Sequence, residues 1–297
     1  EIFNTVITVL FLLLFLFACG IIQYFIWSDL FIQEFDADVA ENVLWAQAAI
    51  ESGTLINPDF YYNQLLPFGG DLIFIPIVKH FGVGLFALRL GMSIWSGLFA
   101  LVLAGFFLGI GWKLSVSMLS AAAVLLFLSG TEKLREIFWT HVVHYNLPIF
   151  YLLLTLIFLS GMFRLKSKGR LLCLTGFMLC LIAGSANDIA VVLFFSFSLL
   201  FGIFLERFLS EGIQFFFRKE NLVLFTECIT GVILGIFLGR ILAADASTAY
   251  VDNYSVFSSS DKWISNLLAF PNNWFSMFTT LPESSVPFFS NVGIKLM

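Results

Sequence analysis

The chain has 297 residues, of which 60% are hydrophobic and only 12% are charged. Soluble domains have about 45–50% apolar and about 25% charged residues, so this composition indicates a membrane protein. Acidic residues outnumber basic ones by 20 to 15. This balance argues against nucleic acid as the main partner, because that role needs a basic surface.

Seven apolar stretches follow one another along the chain. A bilayer core about 30 Å thick needs about 20 helical residues, and each stretch is close to that length. The stretches cover residues 2–28, 90–112, 114–131, 145–163, 171–187, 189–205 and 222–242. They predict an all-α fold, a polytopic transmembrane helix bundle of about seven spans that occupies residues 1–244 with its loops.

Basic residues set the predicted orientation. The loop of residues 164–170 has four positive charges and no negative one, and short basic loops stay in the cytoplasm. Counting spans from this loop places Lys113, residues 207–220 and the N-terminus on the same side. We therefore expect an integral protein of the bacterial inner (plasma) membrane, with residues 29–83 outside the cytoplasm.

The first outer loop, residues 29–83, is acidic and patterned. It has eight Asp and Glu residues against one lysine. Apolar residues recur at helical spacing, at Val39, Val43, Ala46 and Ile50. This pattern predicts an amphipathic helix over residues 39–52 that lies along the membrane surface. A second short helix is predicted over residues 71–80.

The motif Asp36-Ala37-Asp38 stands where the first span leaves the bilayer. Asp38 precedes Glu41 by three residues, the spacing of a capping box, so one interpretation is a helix cap. The other is chemistry on a lipid headgroup at the membrane plane, because capping does not need Asp36. The two aspartates can also hold a divalent cation through hard oxygen ligands, and no other cofactor is suggested.

Three features of this loop resemble the GT-C class of membrane glycosyltransferases: the acidic motif, the run ENVLWAQAAIESG and the run NPDFYYNQLLPFGGDL. Within that class, the likeness is to bacterial members related to protein mannosyltransferases and aminoarabinose transferases. The architecture is similar over residues 1–240, and the recognisable residues fall within 29–75. Residues 245–297 form an aromatic-rich outer segment, for which two interpretations stand: a lid over a lipid or glycan site, or a connection to further spans, which full-length members usually have.

The resemblance implies transfer of a sugar from a polyprenyl-phosphate donor to a lipid, glycan or protein acceptor at the outer face. The family's acidic residue of the first loop corresponds by position to Asp36, with Asp38 as the competing match. Its implied role is the general base that removes the acceptor hydroxyl proton during inversion at the anomeric carbon. This chain has Asp-Ala-Asp where many relatives have adjacent acidic residues, so both aspartates remain candidates.

A lipid phosphate leaves in such a reaction, and its developing charge calls for cations near the outer surface. Arg135 is the first candidate, because a guanidinium binds phosphate oxygens as a fork. The other substrate-binding candidates are Lys133, His144, His141, Asp188, Arg240 and Glu41. The structural alternatives are ion pairs with Glu132 and Glu136 for Lys133 and Arg135, zinc binding for the two histidines, and a helix cap for Asp188.

Two further function classes fit a helical bundle. A transporter or flippase of a lipid-linked substrate predicts charges or helix breaks at mid-membrane in paired positions, and the sequence shows neither. The second of these function classes is a non-catalytic subunit of a membrane assembly. The glycosyltransferase hypothesis is favoured because the carboxylates concentrate in one outer loop.

Overall fold

The computed structural model describes residues 2–34, 37–142, 145–248 and 259–276. The chain is an all-α polytopic bundle whose helices are long and apolar enough to cross a membrane, which confirms the predicted fold class. In chain order the helices are α1 (Ile2–Trp27), α2 (Asp29–Gln33), α3 (Ala37–Ser52), α4 (Asp71–Phe81), α5 (Leu85–Gly109), α6 (Leu114–Leu128), α7 (Glu132–Arg135), α8 (Leu147–Arg164), α9 (Ser167–Ser185), α10 (Ile189–Val191), α11 (Ser198–Glu211) and α12 (Lys219–Leu242).

Shorter elements connect these helices. π-helical turns continue α7 over Glu136–Thr140 and join α10 to α11 over Val192–Phe197. A 3₁₀ segment, Gly212–Phe217, follows α11, and a last helix covers Trp263–Ser276. Two short strands, β1 (Tyr61–Tyr62) and β2 (Ser247–Thr248), pair in parallel.

Six helical segments of the described chain have the length and hydropathy of membrane spans. They are α1, α5, α8, α9, the continuous run from α10 to α11, and α12. Each coincides with a predicted stretch. The predicted amphipathic helix is also present as α3, which begins at Ala37 and ends at Ser52. The second predicted short helix is α4.

The predicted span over residues 114–131 is shorter and bent. α6 ends at Leu128 after 15 residues, and the following helical segment turns away by 112°. The Ser129 hydroxyl donates to the Leu125 carbonyl at 2.8 Å and accepts the Trp139 indole N–H at 3.1 Å. Thr131 then caps α7 by accepting from the amide of Leu134. Local hydrogen bonds therefore end α6 early, and the bent pair makes a seventh span only if both parts are counted together.

Glycines let α12 approach α9 closely. Gly231, Gly235 and Gly239 lie four residues apart and are buried on one side of α12. A Cβ atom at Gly235 would lie 2.5 Å from the backbone carbonyl oxygen of Ile182 on α9. Small residues at this spacing are typical of helices that pack tightly in membranes. The backbone contact therefore requires glycine at position 235.

The two ends of the bundle differ in chemistry. α2, α3, α4 and the β1–β2 pair lie at one end, which we call the loop-rich face. The other end, the basic face, carries the connections of residues 110–113, 165–166 and 212–218. Eight of the 15 basic residues belong to the basic face: Lys113, Arg164, Lys166, Lys168, Arg170, Arg207, Arg218 and Lys219.

Candidate functional site

The exit of the first span is held firmly against the second. Ser28 ends α1 and caps α2, because its hydroxyl accepts the amide of Leu30 at 3.2 Å. Arg89, near the start of α5, donates to the Ser28 carbonyl at 2.7 Å. Its guanidinium carbon also lies 6.0 Å from the ring centroid of Phe31. The start of the acidic loop is therefore positioned by contacts within the described chain.

A buried ion pair joins this exit to the second outer segment. The Glu34 carboxylate accepts from Nη2 of Arg135 and from its Nε, which lies 3.1 Å from Oε1. The side chains are only 8% and 22% exposed, respectively. The guanidinium carbon is 5.3 Å from the ring centroid of Phe25, a cation–π contact. The acidic end of the first span and the cationic second segment therefore form one unit.

Arg135 and Lys133 have different partners. The sequence-based alternative, pairing with acidic neighbours on the same helix, is confirmed for Lys133, whose Nζ lies 3.3 Å from Glu136. It is wrong for Arg135, whose guanidinium pairs with Glu34, 101 positions away in the chain, and not with Glu132 or Glu136. The reason is the bend after α6, which turns Arg135 back toward α1 and α2.

Two carboxylates project from the first turns of α3. The helix begins at Ala37, so Asp38 lies inside its first turn and not at the position before the helix, where a cap stands. A carboxylate in this turn interacts favourably with the helix dipole. Glu41, one turn further, accepts the backbone amide of Asn63 at 3.3 Å. Glu41 therefore joins α3 to the loop around Asn63.

Burial changes the acidity of Glu41. The pKa of Glu41 is raised from 4.5 to about 7; removal of water from around the carboxylate is the largest cause, and the negative charge of Asp38 acts in the same direction. The hydrogen bonds from Asn63 act in the opposite direction, because they stabilise the charged form. Glu41 is therefore a carboxylate that can take up and release a proton near neutral pH.

The buried side of α3 fits against the segment that follows the π-helical turn Glu136–Thr140. The Asn42 side chain is buried, and its Oδ1 accepts the backbone amide of Val142 at 3.3 Å. Gly70 lies at the same contact, since a Cβ atom there would be 2.5 Å from Cβ of Val142. The first and second outer segments therefore share one packed interface.

The turn before α4 is anchored to α8 and to the turn that follows α9. The amide of Phe68 donates to Oδ1 of Asn187 at 3.1 Å, and the Tyr151 hydroxyl donates to the Phe68 carbonyl at 2.8 Å. Asn187 is buried and also donates to the Ala183 carbonyl at 2.9 Å. Next to it, the Asp188 carboxylate accepts the amide of Val191 at 3.0 Å, which confirms the predicted helix cap.

His141 belongs to a buried polar group at the same face. Its Nδ1 lies 2.8 Å from the Thr140 hydroxyl, and its backbone carbonyl accepts from Nδ2 of Asn146 at 2.6 Å. The second predicted histidine, His144, lies outside the described residues. Among the residues that the structure describes, no three His, Cys, Asp or Glu side chains are grouped to hold a metal ion.

Asp36 and Arg240 are the remaining predicted site residues. Asp36 lies outside the described residues. Arg240 is exposed in the last turn of α12. The loop-rich face thus brings together the chain around Glu41, Arg135, His141 and the Asp188 turn through the contacts described above.

Three functional candidates were not apparent from the sequence: Glu34, Asn42 and Asn187. Asn42 carried a usable signal, because it falls on the apolar side of α3 three residues after Val39, and buried amides need defined partners. The sequence contains no such signal for Glu34, because its partner Arg135 is distant in the chain and both residues have other charged residues near them in sequence.

Comparison with known proteins adds no assignment. No family model, no curated protein and no solved structure matches the chain.

Proposed function

We propose that the chain is an inverting membrane glycosyltransferase, which moves a sugar from a polyprenyl-phosphate carrier to a hydroxyl of a lipid, glycan or protein acceptor. The observation that carries the proposal is the Glu34–Arg135 ion pair at the loop-rich face. The reaction needs a carboxylate to accept a proton and a cation to receive a lipid phosphate. The ion pair connects the acidic first outer segment, which supplies the carboxylate, to the second outer segment, which supplies the cation.

The proposed base is one of three carboxylates near the start of α3. Asp36 is the first candidate by its position in the sequence, and Asp38 is the second, exposed in the first turn. Glu41 is the third, because a pKa of about 7 suits proton transfer at neutral pH. The base takes the proton of the acceptor hydroxyl, whose oxygen attacks the anomeric carbon. The bond from that carbon to the phosphate oxygen breaks, and the polyprenyl phosphate leaves with the electron pair.

Arg135 is the proposed partner of the leaving phosphate. A guanidinium has five N–H donors, and contacts to Glu34 and to the Ser129 carbonyl engage one donor on each of its three nitrogens. Two donors remain for phosphate oxygens, and the side chain is 22% exposed. Glu34 holds the guanidinium in position before the donor arrives. Lys133 and Arg240 are further cations for the same charge.

The proposed setting is the bacterial inner membrane. Short basic loops remain in the cytoplasm, so the basic face and the N-terminus are assigned to that side. The loop-rich face then lies outside the cytoplasm. This is the side on which a polyprenyl-phosphate sugar would be consumed.

The test is donor turnover by the purified protein in lipid nanodiscs. Synthetic polyprenyl-phosphate mannose, glucose and aminoarabinose are supplied one at a time with a bacterial lipid and glycan extract, and released polyprenyl phosphate is quantified by mass spectrometry. We expect one donor to be consumed. Loss of a general base lowers a rate by about 10²–10⁴-fold, so one of the variants Asp36→Asn, Asp38→Asn and Glu41→Gln should show a loss in that range.

Asp59→Asn is the matched control, because Asp59 is an exposed aspartate of the same loop. Full turnover in the Asp36, Asp38 and Glu41 variants alike would disprove the assigned base. Movement of intact donor between leaflets without a covalent product would instead identify a transporter. No consumption of any donor, with no effect of polyprenyl phosphate on thermal stability, would favour a non-catalytic assembly subunit.

A further inference from the structure

A cleft of about 620 Å³ opens at the basic face, away from the site proposed above. Its walls come from α5, α8, α11 and α12. α8 contributes a stripe at helical spacing, Leu152, Leu156, Leu159 and Phe163, and α11 contributes Leu199 and Ile203. The three α8 leucines are only half-buried, so the cleft is open along its length. It is therefore a groove between spans and not a sealed void.

The length of the groove matches one leaflet of a bilayer. The α8 wall runs from Leu152 to Arg164, which is about 18 Å at roughly 1.5 Å of rise per residue. Half of a hydrocarbon core is about 15 Å. Arg164 lies in the last turn of α8, where the span ends at the basic face. The groove therefore runs from the membrane boundary to about the middle of the bilayer.

The polar end of the groove is cationic. Arg164 and Arg207 both line it, together with one carboxylate, Glu206. Arg207 is balanced by acids, because its Nε lies 3.1 Å from Glu206 and its Nη1 lies 3.6 Å from Glu211. Arg207 also lies over the ring of Phe163, with 5.4 Å from its guanidinium carbon to the ring centroid.

Arg164 differs from Arg207 in that it is exposed and has no ion pair among the residues that the structure describes. Its guanidinium lies against Gly111, where a Cβ atom would be 2.5 Å from Nη2. Gly111 has a φ of +97°, a conformation that also favours glycine. The connection after Arg164 and the first turn of α9 add three more basic residues and no acidic one: Lys166, Lys168 and Arg170.

We propose that this groove binds an anionic phospholipid, with one acyl chain along the apolar walls of α8 and α11 and the phosphate at Arg164. An apolar channel of leaflet length that ends at an uncompensated arginine is complementary to both parts of such a lipid. Basic pockets between spans are known sites for anionic headgroups. A phosphate is expected at Arg164 and not at Arg207, because Glu206 and Glu211 already neutralise Arg207. The proposal does not depend on the glycosyltransferase assignment.

The test is native mass spectrometry of the purified, delipidated full chain titrated with phosphatidylglycerol or with phosphatidylcholine. We expect the wild type to prefer phosphatidylglycerol. Arg164→Gln should weaken phosphatidylglycerol binding by about tenfold, because it removes charge-assisted hydrogen bonds, and should weaken phosphatidylcholine binding less, because the choline cation already balances the phosphate of that lipid. Lys168→Gln is the matched control, since it removes the same charge from the neighbouring first turn of α9, outside the groove.

Gly202→Leu tests the apolar part independently. Gly202 lines the groove, and a Cβ atom there would have open space, so the larger side chain fills the groove without a clash against the fold. We expect weaker binding of both lipids. Gly97→Leu is the control, because position 97 also has open space but lies outside the groove.

Three results would overturn the proposal. The first is equal binding of the two lipids by the wild type. The second is equal behaviour of Arg164→Gln and Lys168→Gln, or of Gly202→Leu and Gly97→Leu. The third is stabilisation of the protein by inorganic phosphate to the same extent as by phosphatidylglycerol, which would identify a simple anion site and not a lipid site.

Discussion

The Glu34–Arg135 pair gives the sharpest prediction about stability. The perturbation is a double-mutant cycle: Glu34→Gln, Arg135→Gln and both together, each measured as a free energy of unfolding in detergent micelles. The cycle isolates the interaction between the two side chains from their separate effects on the fold. A glutamine keeps the approximate size of each side chain and removes its charge.

The expected coupling energy follows from the burial of the pair. Exposed ion pairs contribute about 0.2–1 kcal/mol, whereas removing one partner of a fully buried pair costs about 3–5 kcal/mol. Glu34 is 8% and Arg135 is 22% exposed, which places this pair between the two limits. We therefore expect a coupling of about 2 kcal/mol. Arg135→Gln alone should cost more than the coupling, because it also loses the contact with Phe25.

The same segment offers a matched control cycle. Lys133 and Glu136 also form an ion pair, but their side chains are 53% and 32% exposed. Their coupling should be about 0.3 kcal/mol, typical of a pair on one exposed helix surface. A coupling for Glu34 and Arg135 that is as small as the control value would refute the conclusion that this pair joins the two outer segments.

Two further predictions concern Glu41 and Gly235. The folded-state pKa of Glu41 is raised from 4.5 to about 7, so the free energy of unfolding should fall as pH rises through this window. Glu41→Gln should remove about 1–2 kcal/mol of that fall after allowance for solvent screening, and an unchanged pH profile would contradict the burial effect. Gly235→Ala should destabilise the protein by about 1–3 kcal/mol in the same unfolding assay, because its Cβ would meet the Ile182 carbonyl oxygen at 2.5 Å. Gly202→Ala is the control, because a Cβ atom at position 202 has open space. It should stabilise the protein by about 0.5–1 kcal/mol, since alanine has a higher helix propensity than glycine. Equal effects at positions 235 and 202 would rule out the close contact.

Features that depend on nearby residues were predictable from the sequence. The six spans follow from uncharged stretches of membrane length. The extent of α3 follows from the spacing of Val39, Val43 and Ala46, and its end follows from Gly53, which adopts a φ of +69° after Ser52. Each of these signals is contained within a single element.

Features that depend on distant contacts were not predictable. The early end of α6 reflects the hydrogen bond between Ser129 and Trp139, ten residues apart, which hydropathy does not register. The pairing of Arg135 with Glu34 depends on the bend after α6, which brings two residues that are distant in the chain together. In the same way, the hydrogen bond from the amide of Asn63 to Glu41 joins residues 22 positions apart, which the local spacing around Glu41 does not indicate.

The stereochemistry of the product tests the central proposal most directly. The sugar that wild-type protein in nanodiscs transfers from its polyprenyl-phosphate donor can be isolated and its anomeric configuration determined by NMR. A single displacement assisted by a carboxylate base at the loop-rich face predicts a covalent product with the configuration inverted relative to the donor. A product with retained configuration, or donor that stays chemically intact, would contradict the proposal.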